Sequence, residues 1–446
     1  MQQEIKDRGI IRWIQTWSLF FAGLTVIIYP IAVTFSRSAP RVLDILLIVY
    51  WLCQGNYRER IRAAWTHPVL FWGVLYLLVT FGGVFLAPLT LPGVETITYR
   101  RAFEFFLGHQ PLLLLLVVAT LPLSPTYYLR MAQVTFCCMT VAVGQILWLQ
   151  WSYGLDYYTA IRTPKVFFIS QFHMALGVFV LLSMSLLLFT PLHWLASYRV
   201  RLFTKYLKYK RWLSCLLSFV VFVCSVALVS FLVYFLFGVL HGCRTSQVAF
   251  VVAMAAVYVA RFRLKGVIFA ALLVAPFTPV IVTYTHHISK RYDGMVRELT
   301  TLIEPKPIAR SEKGGRIAVY NYLLNDVVIK SPVLGIGIGK GQIVSESVTG
   351  GEIKNPHSEY LNVLVQSGGV GFVTFLGFCS ALFFYSLRMK KRHRFWALFI
   401  TVVFLTDSLV NCSLSYNRGA YFYPIFFLII LHLEKSVIRR PGRQCD

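Results

Sequence analysis

Three short stretches of this sequence contain residue types that could hold an anion or accept a proton. Arg244 precedes Thr245 and Ser246 at the start of an apolar run. Arg316 follows two glycines and opens a run with apolar residues at helical spacing. His357 lies in Asn-Pro-His-Ser-Glu, directly before another apolar run. Two guanidinium groups and one imidazole could together bind a phosphate and take a proton from a hydroxyl.

Both arginines are predicted to lie in the first turn of a helix. Thr245 or Ser246 can cap the helix beside Arg244, and Ser-Pro ends the helical run that Arg316 opens. The positive end of a helix disfavours a cation, so an arginine there indicates a nearby anion. Free backbone N–H groups and a guanidinium would hold a phosphate between them. The competing interpretation is a solvated loop arginine or, for Arg244, an interfacial anchor.

His357 is predicted to lie in the first turn of the helix that follows it. Asn355 would cap this helix and Pro356 would occupy its first position. The positive helix end would disfavour the imidazolium form and leave a neutral imidazole as a possible general base. A lone histidine is more often a bystander, so this prediction depends on the two arginines lying nearby.

Glycines alternate with isoleucine at 335–339 and precede Lys340. This stretch looks suited to phosphate, yet it lacks the GxxxxGK[ST] spacing of a nucleotide-binding loop. We predict a tight turn that approaches substrate closely. Lys340 is a possible supporting residue of the site, as are four residues around the histidine: Asn355, Ser358, Glu359 and Tyr360.

Membrane helices must position these residues. Of the 446 residues, 57% are hydrophobic and 14% are charged, whereas soluble domains have about 25% charged residues. The sequence therefore predicts an all-α polytopic membrane protein. Twelve apolar runs have spanning length, near 16–36, 38–54, 68–90, 103–123, 130–151, 166–190, 213–238, 246–260, 264–285, 359–386, 395–411 and 420–434.

The basic residues predict the orientation of these spans. With both termini in the cytoplasm, 25 of the 43 Lys and Arg residues lie inside and 8 lie on short outside loops. We expect transmembrane helices 1–9 in residues 1–285, a large periplasmic loop with short helices and catalytic elements in 286–358, and helices 10–12 with a basic cytoplasmic tail in 359–446. The net charge of +25 is spread in short blocks, which excludes a nucleic-acid-binding face.

Other reactive residues fit structural roles. The nine cysteines are scattered without a CxxC pair or metal-ligand spacing, so neither a disulfide framework nor a metal site is expected. His173 and Asp407 lie inside predicted spans, where an ionisable group needs a reason. We interpret each as a hydrogen-bonding residue in the interior of the bundle.

Taken together, the three stretches resemble the O-antigen ligase and polymerase superfamily. The resemblance rests on Arg-Thr-Ser at 244–246, Gly-Arg-x-x-x-Tyr at 315–320, Lys-Ser-Pro-Val-Leu-Gly-Ile-Gly at 330–337, Pro-His-Ser-Glu-Tyr-Leu-Asn at 356–362 and Gln-Ser-Gly-Gly-Val-Gly at 366–371. It is most specific from about 314 to 372; elsewhere only the number and placement of spans match. The sequence departs from the commoner pattern at Tyr320, where tryptophan is expected.

The resemblance implies an inverting, metal-independent glycosyltransferase of the bacterial inner membrane, with a GT-C-type fold, a periplasmic active site and no cofactor. Its donor would be a glycan on undecaprenyl pyrophosphate. Its acceptor would be the lipid A core oligosaccharide in a ligase, or another lipid-linked repeat in a polymerase. By position, Arg244 and Arg316 correspond to the family's pyrophosphate-binding arginines and His357 to its proposed base.

Four activities fit this layout, and the single long outside loop favours an O-antigen ligase. The alternative is an O-antigen polymerase. A protein O-oligosaccharyltransferase is less favoured because no extra soluble domain follows the last span. A lipid-linked glycan flippase should have a polar midplane and two similar halves, and the sequence shows neither clearly.

Overall fold

The computed structural model describes residues 2–35, 39–89, 96–154, 244–262, 316–348, 355–414 and 419–438. Every regular element in these ranges is helical, which confirms the predicted all-α class for this part of the chain. The helices are α1 (Gln2–Phe35), α2 (Ala39–Cys53), α3 (Tyr57–Thr66), α4 (Pro68–Leu86), α5 (Tyr99–Phe106), α6 (Gln110–Thr120), α7 (Pro125–Tyr153), α8 (Arg244–Phe262), α9 (Arg316–Tyr322), α10 (Lys340–Val348), α11 (Glu359–Arg388), α12 (Lys391–Val410) and α13 (Gly419–Ile438).

Several helical segments in the described ranges are long and apolar enough to cross a membrane. Five meet this criterion, at the predicted spans one, three, four, ten and eleven: Gly9–Thr34, Pro68–Leu86, Tyr99–Thr120, Glu359–Arg388 and His393–Val410. The predicted spans eight and twelve contain shorter apolar helices, and α2 and α7 form at the second and fifth. The spans predicted at 166–190, 213–238 and 264–285 lie outside the described residues, so the total of twelve stays a prediction.

Glycines let the long helices approach one another. Helix α4 packs along α11, and a Cβ on Gly377 of α11 would come within 2.3 Å of the Trp72 ring of α4. Helices α1 and α7 cross in the same way, with Gly23 against the Tyr127 ring. Such small residues at crossings are typical of membrane helices, where close van der Waals contact drives association.

Asp407 is a fully hydrogen-bonded carboxylate in the interior of the described bundle. Asp407 of α12 is buried among the rings of α11, α12 and α13. It accepts hydrogen bonds from Asn411 Nδ2 at 2.6 Å, from Ser413 Oγ at 2.7 Å and from the Tyr423 hydroxyl at 2.7 Å. The interior hydrogen-bonding role predicted for Asp407 is therefore confirmed. His173 lies outside the described residues.

Helix α11 is broken at Gly368, which adopts φ 59° and ψ −160°. The segment 332–338, which turns at Gly335 and Gly337, packs against the break and bonds to both halves of the helix. The backbone bonds are Ile336 N to Val365 O at 2.9 Å, Gly337 N to Gln366 O at 3.0 Å, Gly369 N to Pro332 O at 2.7 Å and Val370 N to Val333 O at 3.2 Å. The segment thus supplies the partners that an interrupted membrane helix requires.

A small second core joins α9, segment 332–338, α10 and the first half of α11. Its buried members are Val319, Leu323, Val327, Ile336, Val344, Leu361 and Val365. The apolar face predicted at 317, 320, 324, 327 and 328 is partly wrong, because Leu324 is 42% exposed. Leu323–Val327 forms a π-helix after α9, and its wider turns keep residues four apart on the same face.

Candidate active site

His357 lies in the loop before α11 rather than in a helix. The Asn355 side chain accepts a hydrogen bond from the His357 backbone N–H at 2.9 Å, which closes a tight turn. Helix α11 begins at Glu359, and Ser358 is its N-cap, with the Ser358 hydroxyl accepting from the Leu361 N–H at 3.4 Å. The prediction that Asn355 caps this helix is therefore wrong, because its side chain bonds to the His357 N–H, before the helix begins.

The backbone of His357 has φ 50°, in the left-handed region. Within the described ranges, Asn56 is the other non-glycine residue with positive φ. Asparagine tolerates this conformation, whereas a histidine there needs support from its surroundings. Tyr320 provides it by donating its hydroxyl hydrogen bond to the His357 carbonyl at 3.0 Å. An observed outlier held in this way is a reason to infer a functional residue.

The tyrosine contact joins α9 to the His357 turn. Arg316 lies in the described part of α9, so the prediction that it belongs to a helix is confirmed, while its place in the first turn stays a prediction. Tyr320 follows four residues later, and residues i and i+4 share a face of a helix. Helical spacing thus puts the backbone of Arg316 on the Tyr320 side of α9, and its proximity to His357 stays a prediction.

Arg244 lies at the start of the described part of α8. Thr245 and Ser246 follow it within the helix, so the prediction that one of them is the N-cap is wrong. Helix α8 packs along α12, with the rings of Phe250 and Phe399 edge to face at 6.5 Å. Proximity of Arg244 to the histidine loop stays a prediction.

Glu359 ties the start of α11 to the segment that follows α12. Its carboxylate is buried and accepts a hydrogen bond from the Leu414 N–H at 2.9 Å, and its own N–H donates to the Asn411 carbonyl at 3.1 Å. Tyr360 points to the bundle interior, where its ring meets Phe375 edge to face at 5.2 Å. Both residues therefore fix the position of α11.

Lys340 is buried at the start of α10, and its ammonium group donates to the Leu89 carbonyl at 2.7 Å. Burial lowers the pKa of Lys340 below its ordinary value. The predicted glycine turn is confirmed, since Gly335, Gly337 and Gly339 have φ of 74°, 98° and 82°. A Cβ added at any of these three glycines would clash with protein atoms; at Gly335 it would lie 2.5 Å from the Gln366 backbone. The glycines thus approach neighbouring helices, not an open substrate space.

A pair of buried amides on the first half of α11 was not among the predicted site residues. Gln366 Nε2 donates to Asn362 Oδ1 at 2.7 Å, whereas Asn362 Nδ2 is buried and has no partner in the described part of the chain. A Cβ on Gly341 would lie 3.4 Å from Asn362 Oδ1 and 3.7 Å from Pro356, so this amide is beside the histidine turn. The sequence signal that could have revealed this pair is the presence of two amide side chains four residues apart after His357, since such residues share a helix face.

Part of the chain is similar to a known protein family. Residues 227–376 match the family model described as O-Antigen ligase, about a third of the chain. No curated protein matches the chain. The matched stretch contains α8, α9, α10 and the break of α11, and with them Arg244, Arg316 and His357. The match confirms the resemblance to the O-antigen ligase and polymerase superfamily for residues 227–376, and five described helices have the length and composition of membrane spans.

Proposed function

We propose that this protein is an O-antigen ligase. It transfers a glycan from undecaprenyl pyrophosphate to the lipid A core oligosaccharide at the periplasmic face of the bacterial inner membrane. The observation that carries the proposal is the His357 turn, closed by Asn355 and held by Tyr320 inside the stretch that matches the family model. A histidine so fixed is poised to act on one substrate hydroxyl.

The reaction needs one base and a positive site for the leaving group. His357 takes the proton of the acceptor hydroxyl as its oxygen attacks the anomeric carbon. The bond from that carbon to the pyrophosphate oxygen breaks on the opposite face, so the configuration inverts and undecaprenyl pyrophosphate leaves. Arg244 and Arg316 neutralise the charge that develops on this leaving group. The pyrophosphate supplies the activation, so the proposal requires neither a nucleotide nor a metal.

The proposed topology follows the charge bias of the short loops. Residues 286–358 form the periplasmic loop, and both termini are cytoplasmic. Helices α9 and α10 belong to that loop, and the second core joins them to the first half of α11. This contact supports a site at the outer membrane surface, where a lipid-linked donor presents its pyrophosphate.

The arginine roles predict a defect in donor binding. We expect Arg244→Lys and Arg316→Lys each to weaken binding of the lipid-linked donor by about 10- to 100-fold, because a hydrogen bond to a charged group contributes about 1.5–3 kcal/mol. Lysine retains the charge but cannot form a bidentate fork. Binding is measured with purified protein in detergent. Arg100→Lys is the matched control, since Arg100 is exposed and paired with Glu104. Unchanged binding in both Arg→Ala variants would refute the assignment.

The tyrosine contact predicts a smaller, purely positional effect. We expect Tyr320→Phe to reduce the transfer rate by about 3- to 10-fold, because it removes one neutral hydrogen bond of about 0.5–1.5 kcal/mol from the His357 turn. Donor affinity should stay close to the wild-type value. The control is Tyr322→Phe, two residues along α9, whose hydroxyl has no hydrogen bond within the described residues. Equal rates for both variants would show that the contact does not position the histidine.

A polymerase would use the same donor chemistry, so the acceptor decides between the two activities. The test is the glycan profile of a strain that lacks this protein. Loss of a ligase leaves full-length polymer on undecaprenyl pyrophosphate and bare lipid A core. Loss of a polymerase leaves single repeats attached to the core. Repeats retained on the cytoplasmic face would instead indicate a flippase and overturn the proposal.

A further inference from the structure

Segment 411–414, which follows α12, lies against the turn that contains His357. Each of its four residues is 7% exposed or less. It contacts the residues two positions before and two positions after the histidine. The Cys412 thiol donates a weak hydrogen bond to Asn355 Oδ1 at 3.9 Å, and Glu359 bonds to the segment through both its backbone N–H and its carboxylate. The segment therefore supports the turn from both flanks.

Asp407, in the last turn of α12, holds this segment in place. One carboxylate oxygen accepts from Asn411 Nδ2 at 2.6 Å, and the other accepts from Ser413 Oγ at 2.7 Å. The Tyr423 hydroxyl of α13 bonds to the same oxygen as Ser413. Hydrogen bonds to a carboxylate are stronger than bonds between neutral groups, and Asp407 is 3% exposed, so water competes little for it. The carboxylate therefore fixes the segment at two alternate residues.

The route from this carboxylate to the histidine has two branches. In the first, the side chain of Asn411 bonds to the carboxylate while its carbonyl accepts the Glu359 N–H at 3.1 Å. In the second, Asn355 Oδ1 accepts both from the Cys412 thiol and from the backbone N–H of the histidine. A carboxylate that only joined helices would need partners on helices, whereas two of these three partners lie on segment 411–414. The arrangement thus couples the bundle interior to the histidine turn.

We infer that Asp407 is a positioning residue for His357 and acts through segment 411–414. The segment holds the turn in its left-handed conformation, with φ 50° at the histidine, and so fixes where the imidazole meets the acceptor hydroxyl. Such a strained conformation persists only when its surroundings impose it. The inference rests on the proposed function, since it concerns the general base of glycan transfer.

The first test compares turnover in variants that each remove one buried hydroxyl. Ser413→Ala deletes one of the two bonds from segment 411–414 to Asp407 and leaves the carboxylate in place. We expect kcat to fall by about 10-fold, because misplacing a catalytic group by ~1 Å can cost about 100-fold and one lost bond should displace it by less. The KM values for donor and acceptor should stay unchanged.

Two further variants are the controls. Ser408→Ala removes a buried hydroxyl next to Asp407 that has no partner within the described residues, so its kcat and melting temperature should not fall. Tyr423→Phe removes the bond that α13 makes to the carboxylate. It should lower the melting temperature as Ser413→Ala does but keep the wild-type kcat, because both bonds from segment 411–414 remain. An equal fall in kcat for Tyr423→Phe and Ser413→Ala would overturn the inference.

A second measurement asks whether the effect passes through the imidazole. In a His357→Gly protein supplied with free imidazole there is no side chain to position, so adding Ser413→Ala should not lower transfer further. The same fold-loss in both backgrounds would mean that the serine acts elsewhere and would overturn the inference.

Hydrogen exchange of the full-length protein, measured by mass spectrometry in detergent, needs no substrate. The amides of residues 355–361 should exchange faster in Ser413→Ala than in the wild type, Ser408→Ala or Tyr423→Phe. Unchanged exchange in Ser413→Ala would overturn the inference even if transfer were normal. Absence of glycan transfer by the wild type would instead refute the proposed function, and exchange at the turn would then decide the role of segment 411–414 alone.

Discussion

Replacing His357 with glutamine is expected to lower glycan transfer by about 10² to 10⁴, the usual contribution of a general base. Glutamine accepts a hydrogen bond but cannot take a proton at neutral pH. The Asn355 and Tyr320 contacts that hold this turn go to the backbone of residue 357, so they do not depend on its side chain. Donor binding should therefore stay nearly unchanged while turnover falls. Transfer is measured with purified protein, lipid-linked donor and core acceptor.

The left-handed backbone at His357 supplies a sharper control. Glycine adopts φ near 50° more easily than alanine, so His357→Gly should be at least as stable as His357→Ala. Both should be equally inactive if the imidazole does the chemistry. Free imidazole in solution should then restore part of the activity of the glycine variant. Near-normal transfer by His357→Gln would instead mean that the residue only orients substrate, and another base would have to be identified.

Gly368→Ala is expected to abolish transfer and to lower the melting temperature. A Cβ at this position would lie 2.4 Å from the carbonyl carbon and oxygen of Val333, and Gly368 has φ 59°. The clash is with backbone, which cannot move aside as a flexible side chain can, and the left-handed conformation adds about 1–2 kcal/mol of strain. We expect a total cost of about 3 kcal/mol or more, in the range of severe substitutions.

Gly82→Ala is the matched control for this loss. Gly82 lies in α4, and a Cβ there would meet no atom within 4 Å. Alanine is favoured over glycine in a helix by about 1 kcal/mol, so this variant should melt at or above the wild-type temperature. Both proteins are compared by thermal unfolding in detergent and by transfer. A wild-type melting temperature for Gly368→Ala would show that segment 332–338 does not pack against the break in α11.

Local sequence signals predict part of this architecture. Apolar runs of spanning length predict α1, α4, α11 and α12 because hydrophobicity over about 20 residues is a property of the run itself. Arg316 lies in a helix as expected. These features depend on neighbours in the chain, so they can be read without the tertiary structure.

The geometry at His357 depends on a local competition that the sequence leaves open. Asn-Pro is a helix-start signal, but asparagine is equally suited to closing a turn on the second residue after it. Ser358 can also cap the helix, and it is the N-cap in the structure, so α11 starts later than predicted. The supporting bond from Tyr320 comes from 37 residues away, and local patterns carry no information about it.

The break in α11 illustrates the same limit. The run 359–386 reads as one continuous span, since both sides of Gly368 are apolar. The interruption is stable because the segment 332–338, more than 20 residues earlier, supplies its hydrogen bonds. A pair of adjacent glycines at 368–369 was the available signal, although glycine is common in unbroken membrane helices as well.

The break in α11 also imposes an order on folding. Segment 332–338 is synthesised before α11, yet its backbone amides bond to carbonyls of α11 and, for Ile338 N at 3.1 Å, to the carbonyl of Gly83 in α4. The segment therefore lacks most of these partners until α11 has been synthesised and has packed next to α4. Formation of this contact is accordingly a late step in the maturation of the chain.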